Sequence, residues 1–243
     1  MKYLLMFLIV VFSYSKTIVA TYKAKYGWFG TIAISKAIYK IDKNNNYKIM
    51  ITVQTKGIVA SMTHDLEQTY ISEGKIVDNV LVPIHYIMDI KKHGDDYYRI
   101  YIFDHKNKTV LKKRFKNGKF TKQNKYYYAP DDILSLYWNL PVYLKEKKDI
   151  YTFYAIGGRK NDGRVDVSFP NKDELKKLQK TFVTKGLYVK LNLYNKVFAG
   201  DKGILYLVIN PNNWVTLAGM VKNVLKIGNL KGKIDKFSID SEE

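Results

Sequence analysis

Tyr97 to Tyr128 reads YYRIYIFDHKNKTVLKKRFKNGKFTKQNKYYY, three strand-like runs separated by two turns. Tyr97 to Asp104 is rich in aromatic and β-branched residues, His105 to Lys108 forms a polar break, and Thr109 to Phe115 follows. Asn117-Gly118 then divides this run from Lys119 to Tyr128. Asn-Gly between two such runs marks a tight hairpin, because both central residues of the favoured turn need φ > 0. The segment predicts an antiparallel meander.

The same two-residue period recurs along the chain. Tyr47, Ile49, Ile51 and Val53 alternate with Lys48, Met50 and Thr52; Val165, Val167 and Phe169 alternate with Asp166 and Ser168. Leu187, Val189, Leu191 and Leu193 alternate with Tyr188, Lys190, Asn192 and Tyr194. Each pattern predicts a strand with one face in a core and one toward solvent. Ile204 to Ile209 is continuously apolar, as expected of a central strand covered on both faces. Turn residues at Glu73-Gly74, Asp162-Gly163 and Asn212-Asn213 predict hairpin connections. Two segments break the pattern. Pro130 to Leu144 places Ile133, Leu136, Tyr137 and Leu140 at helical spacing, with Pro130 at the first position, Asp131 and Asp132 in the first turn and Pro141 predicting an extended or kinked exit. Asn171 to Lys180 predicts a second short helix capped by Asn171. The fold class is therefore mainly β: a single curved antiparallel sheet or partly open β-barrel, with short helices near 131–144 and 172–179.

The chain begins with Lys2, a short apolar run from Tyr3 to Phe12, and then Ser13, Tyr14 and Ser15. A positive start, a brief apolar core and small residues two apart predict a cleavable signal peptide over residues 1–15, cut between Ser15 and Lys16. The run is about half of the ~20 apolar residues that a spanning helix needs, which argues against an uncut anchor. The expectation is an exported, periplasmic protein whose residues 16–243 form one domain. No linker or fixed-period repeat interrupts them. The chain has no Cys, so it holds no disulfide, Cys-ligated metal or lipid-modified Cys.

The net charge is +19, and Lys91 to Lys125 carries twelve basic residues against Asp95, Asp96 and Asp104, a net +9. Lys, Asn, Ile and Tyr share A/T-rich codons, so much of the charge needs no partner to explain it. The preferred reading places the basic residues of 91–125 on the solvent face of exposed strands, where Lys also discourages edge pairing. Contact with a lipid or other anionic headgroup is the alternative, and export argues against nucleic acid.

No constellation carries catalytic or metal chemistry, so no enzyme activity, cofactor or metal is expected. The only histidines are His64, His85, His93 and His105; His64 with Asp65 and Glu67 lacks a metal-ligand spacing. Asp95-Asp96 and Asp131-Asp132 are adjacent carboxylates, which on a strand point to opposite faces. Gly157 to Gly163 lacks the Lys-Ser/Thr ending and helix of a phosphate loop and reads as a hairpin. Trp28 and Phe29 between Gly27 and Gly30 read as a first turn, and the many tyrosines, including Tyr126 to Tyr128, suit half-buried strands or the rim of a cavity.

Tyr22-Lys23-Ala24-Lys25-Tyr26-Gly27, Asp131-Asp132-Ile133-Leu134-Ser135-Leu136-Tyr137 and Gly228-Asn229-Leu230-Lys231-Gly232 fall in an order that resembles the bacterial exported family called domain of unknown function 3108. The resemblance implies an exported, curved, partly open barrel and transfers no catalytic residue. Two functions follow as expectations: a periplasmic module that binds or carries an apolar or lipid-like ligand in a curved sheet, or a structural or interaction protein of the envelope with a filled core.

Overall fold

The computed structural model describes residues 15–27, 30–146, 148–193, 203–224 and 228–242. Residues 1–14 of the expected leader, Trp28, Phe29 and Tyr194 lie outside the described residues. The first half is a meander of eight strands: β1 (Ser15–Tyr26), β2 (Thr31–Ile41), β3 (Asn46–Thr55), β4 (Glu67–Val77), β5 (Val80–Lys92), β6 (Asp95–Asp104), β7 (Thr109–Lys116) and β8 (Lys119–Tyr126). A short helix that the sequence reading did not anticipate, α1 (Gly57–Thr63), joins β3 to β4. After β8 come β9 (Asp131–Asp132), α2 (Ile133–Tyr143), β10 (Ile150–Ile156), β11 (Arg164–Ser168) and α3 (Lys172–Phe182). The chain ends with β12 (Leu187–Leu193), β13 (Gly203–Ile209), β14 (Thr216–Val224) and β15 (Gly228–Glu242).

The described strands form one sheet of fifteen, ordered β8-β7-β6-β5-β4-β3-β2-β1-β15-β14-β13-β12-β11-β10-β9. Every pairing is antiparallel except the two-residue parallel ladder of β9 on β10. The sheet is not closed by a ladder. Side chains at the end of β8 and just after it link its two ends instead: Tyr126 Oη donates to the Lys160 carbonyl at 3.3 Å and Tyr127 Oη to that of Ala155 at 3.5 Å.

Helix α2 lies on the inner face. Leu134 and Trp138 pack with Ile18, Tyr39, Ile49, Tyr86 and Tyr101, while Leu136 and Leu140 pack with Tyr151, Val165, Val167, Val189 and Leu191. Helix α3 covers the outer face of β12–β14, where Leu175, Leu178 and Phe182 meet Tyr188, Tyr206, Val208, Ala218 and Met220. β13 is thus covered on both sides, as its continuous apolar run requires. The expectation of a solvent face fails on its neighbours: Tyr188 is buried under α3, and Lys190 is held by Glu174 at 2.8 Å. On β11, Asp166 is buried, accepting from Thr152 and Arg164.

The hairpins at Asn117-Gly118, Asp162-Gly163 and Asn212-Asn213 fall between strands as expected. Glu73-Gly74 does not. There β4 continues through a bulge opposite β5, and the turn comes at Asp78-Asn79, both with positive φ. A Cβ on Gly74 would stand 2.1 Å from the Val82 carbonyl oxygen, so the glycine serves close strand approach rather than a turn. Asn171 caps α3 as expected, in a reciprocal box with Glu174. At α2 the cap is Asp132 rather than a proline-led start, and the helix runs past Pro141 to Tyr143.

Candidate functional site

The inner-face strands place like residues in rows, because directly opposed residues of an antiparallel ladder project to the same side. One row crosses Ile18, Tyr39, Ile49, Ser72, Tyr86, Tyr101, Lys112 and Asn124. Helix α2 sits over its first part, with Trp138 stacked on Tyr39 at 4.3 Å between ring centroids. The helix does not fill the space beneath it. A cavity of about 280 Å³ opens between α2 and β1–β3, lined by Ala20, Ala37, Ile51, Leu134, Trp138 and Leu207 among others. Ser35, Thr216, Tyr22, Tyr39 and Tyr137 are the lining residues that carry a hydroxyl. Tyr137 Oη donates to the Trp214 carbonyl at 2.6 Å and lies 2.7 Å from Thr216 Oγ1, so its polar end is already engaged. Burial pushes the phenols of Tyr22 and Tyr39 up to about 12. The chamber is a small, nearly wholly apolar space with walls of large side chains, close to the ~300 Å³ at the lower end for ligand pockets.

What fixes α2 over the cavity is a buried polar network that the sequence reading dismissed. Asp131 and Asp132 project differently, as neighbours on a strand must, yet both are buried. Asp132 Oδ1 accepts from the amides of Leu134 (2.8 Å) and Ser135 (3.1 Å), and its Oδ2 accepts from Ser72 Oγ at 2.5 Å. Ser72 Oγ in turn lies 3.0 Å from Tyr47 Oη. Asp131 accepts from Asn139 Nδ2 at 2.8 Å, from Tyr143 Oη at 3.1 Å and from Ser135 Oγ at 3.1 Å. Asn139 also binds both backbone groups of Leu81 on β5, accepting from its amide at 2.8 Å and donating to its carbonyl at 2.9 Å. Burial raises both carboxyls, Asp131 to about 6 and Asp132 to about 7, against the lowering effect of these hydrogen bonds. The signal was present in the sequence as D-D-x-x-S-x-x-x-N-x-x-x-Y, polar residues at helical spacing inside an otherwise apolar helix.

The histidines separate. His64 lies against His93, ring centroids 4.2 Å apart, and His85 approaches Glu73 at 3.6 Å, so His64 and His85 do not meet. Among the described residues no group of three His, Asp or Glu could hold a metal ion. His105 ties β5 to the segment after β8, with one ring nitrogen 2.6 Å from the Pro83 carbonyl and the other 3.1 Å from Tyr128 Oη. The loop of Gly157 to Gly163 connects β10 to β11 and is closed by the Arg159–Asp162 pair.

The basic segment does not lie wholly on the solvent face. Arg99, Lys112 and Arg114 project inward, in ladder register with the core residues Met88 and Tyr101, whereas Lys113 and Lys125 project outward. Lys112 is 8 % exposed, its ammonium 4.8 Å from the Tyr101 ring centroid and 4.6 Å from that of Tyr126. Its burial, then the nearby Arg114, Arg99 and Lys160, lower its pKa to about 8. Alternation was visible in the sequence; which side faced α2 was not.

No protein-family model matches the chain, and no curated protein matches it. Among solved structures, the chain is similar to a beta-barrel-like protein of domain of unknown function DUF1849 from Brucella abortus. The match has a TM-score of 0.52 and 10 % identity, covering 94 % of this chain and 98 % of that one. That likeness carries the fold alone: a largely β, barrel-like architecture built around one mostly antiparallel sheet. Among the described residues no helix is long and apolar enough to cross a membrane.

Proposed function

We propose that this is a periplasmic protein, exported by the leader at residues 1–15, that binds or carries an apolar, lipid-like chain in the cavity under α2. We assign it on its motifs to the exported family of domain of unknown function 3108. The carrying observation is the cavity itself: about 280 Å³ walled by Ala20, Ala37, Ile51, Leu134 and Trp138 in a part of the molecule where tight packing would be the rule. An apolar space of this kind excludes water and favours apolar occupants, since water there would find few hydrogen-bond partners. The two tryptophans on its wall, Trp138 and Trp214, make occupancy observable.

Native mass spectrometry of gently purified protein should show a bound species of acyl-chain mass. Decanol titrated into delipidated protein should give a saturable change in tryptophan fluorescence. Ala37→Phe, which fills the chamber from β2, should abolish that change while leaving the fold intact. A ligand-free protein whose fluorescence does not respond, or a response unchanged in Ala37→Phe, would end this reading.

A further inference from the structure

A second inner-face row runs beside the one under Trp138. It passes through Ala20, Ala37, Ile51, Tyr70, Met88, Arg99, Arg114 and Lys122, each directly opposite the next on strands β1 to β8. Its first three members line the apolar cavity. Tyr70 and Met88 follow as a half-buried apolar floor packed against the same core. Arg99 and Arg114 come next, with Lys112 two residues along β7 from Arg114 on the same face. Strand spacing of ~4.8 Å puts three steps, roughly 14 Å along the sheet, between Ile51 and Arg99.

Among the described residues these cations have no acidic partner. No ion pair among the described residues includes Arg99, Lys112 or Arg114, and the inward acid at the start of β6, Asp95, is taken by Lys116 at 2.9 Å. Arg114 Nε is buried without a hydrogen-bond partner. An unpaired guanidinium donor and a largely buried ammonium on one inner patch carry a cost that an anion would remove. Planar guanidinium forks on adjacent strands fit the paired oxygens of a phosphate-type group, and Tyr101 and Tyr126 flank Lys112 as polarisable walls.

Resting on the cavity reading above, we propose that Arg99, Lys112 and Arg114 seat the phosphate-type headgroup of an amphiphile whose chain lies over Met88 and Tyr70 and ends in the cavity beside Ile51 and Ala37. The row then has the polarity of its ligand, cationic at β6–β7 and apolar at β1–β3.

The test compares decyl phosphate, decanol and inorganic phosphate by calorimetry, below the micellar concentration, on the wild type and on an Arg99→Gln/Arg114→Gln variant whose fold is checked by circular dichroism. Charge-assisted hydrogen bonds should make decyl phosphate bind about tenfold or more tighter than decanol. The double variant, which keeps only Lys112 of the three cations, should lose most of that preference, with its decanol affinity unchanged. Equal affinities in the wild type would overturn the headgroup seat while sparing the cavity reading. Binding of neither amphiphile would remove the cavity reading and this inference together. Inorganic phosphate binding as tightly as decyl phosphate would show an anion site unconnected to the cavity, and a preference undiminished in the double variant would place the anion elsewhere; either overturns the proposal. If the double variant fails to fold, Arg99→Gln and Arg114→Gln singly carry the same comparison.

Discussion

Asp132→Asn should convert a protein that weakens as the pH rises into one that changes much less. In the native state Asp132 is fully buried, and burial lifts its carboxyl from 3.8 to about 7. Between pH 4 and 7 the native state therefore holds a proton that the unfolded chain has released, so stability is highest below the unfolded pKa and falls as the pH rises toward 7. At ~1.36 kcal/mol per pH unit the full difference is on the order of 4 kcal/mol, and relaxation around the charge brings the expected loss to about 2–4 kcal/mol. Asn suits the site in the form that protonated Asp already takes. Its carbonyl accepts from the amides of Leu134 and Ser135 as the N-cap requires, while its amide donates to Ser72 Oγ, whose own proton turns to Tyr47. At pH 5 variant and wild type should unfold at similar urea concentrations; about two of the three pH units between the unfolded and native pKa lie above pH 5, so at pH 8 the variant should be the more stable by about 1–3 kcal/mol. The decline left in the variant should end near pH 6, where Asp131 titrates. Urea unfolding followed by tryptophan fluorescence at four pH values from 5 to 8 measures both curves. A wild type whose stability is flat or rises over that range, or a variant that loses as much as the wild type, refutes the reasoning.

Asn139→Ala removes a side chain bonded to both backbone groups of Leu81 and to Asp131, leaving three buried polar atoms short of partners. The expected cost is about 3–5 kcal/mol in equilibrium unfolding, with α2 loosened from β5 and its amides losing hydrogen-exchange protection. Gly74→Ala drives a methyl against the Val82 carbonyl, and because that contact is backbone the bulge must open. A loss of about 2–4 kcal/mol should appear in the same denaturation assay, against less than about 0.5 kcal/mol for Gly232→Ala, whose Cβ would meet nothing within 4 Å.

The sheet could be read from the sequence because its local rules are strong. The alternation of Tyr47, Ile49, Ile51 and Val53, the Asn117-Gly118 turn and the helical spacing of Ile133, Leu136, Tyr137 and Leu140 each depend on a few adjacent residues. What escaped depends on residues far apart. Glu73-Gly74 has the composition of a turn, and only the approach of Val82 from β5 makes it a bulge. Asp131-Asp132 looked like ordinary helix-start acids, and only Ser72, Leu81 and Asn139, brought in from β4, β5 and α2, make them buried anchors. Alternation says which residues share a face without saying which face looks inward. On β6 the aliphatic set is Ile100 and Ile102, yet the inward set is Tyr97, Arg99, Tyr101 and Phe103.

That choice of face bears on function. Turning Ile100 and Ile102 toward the core would leave the Arg99 guanidinium hydrated in water but would expose the larger rings of Tyr101 and Phe103. The chain instead buries Tyr101 and Phe103, whose rings build the wall beneath α2, and accepts Arg99, Lys112 and Arg114 on the same side as a consequence of the two-residue period. Periodicity alone would permit any residue at those three positions, including the uncharged polar ones found at Gln68 and Asn124 elsewhere on the inner face. Three cations converge there, and the apolar cavity opens at the far end of the row that two of them share. A headgroup seat accounts for both ends of that row at once, whereas a filled structural core leaves the cations and the cavity each without a reason.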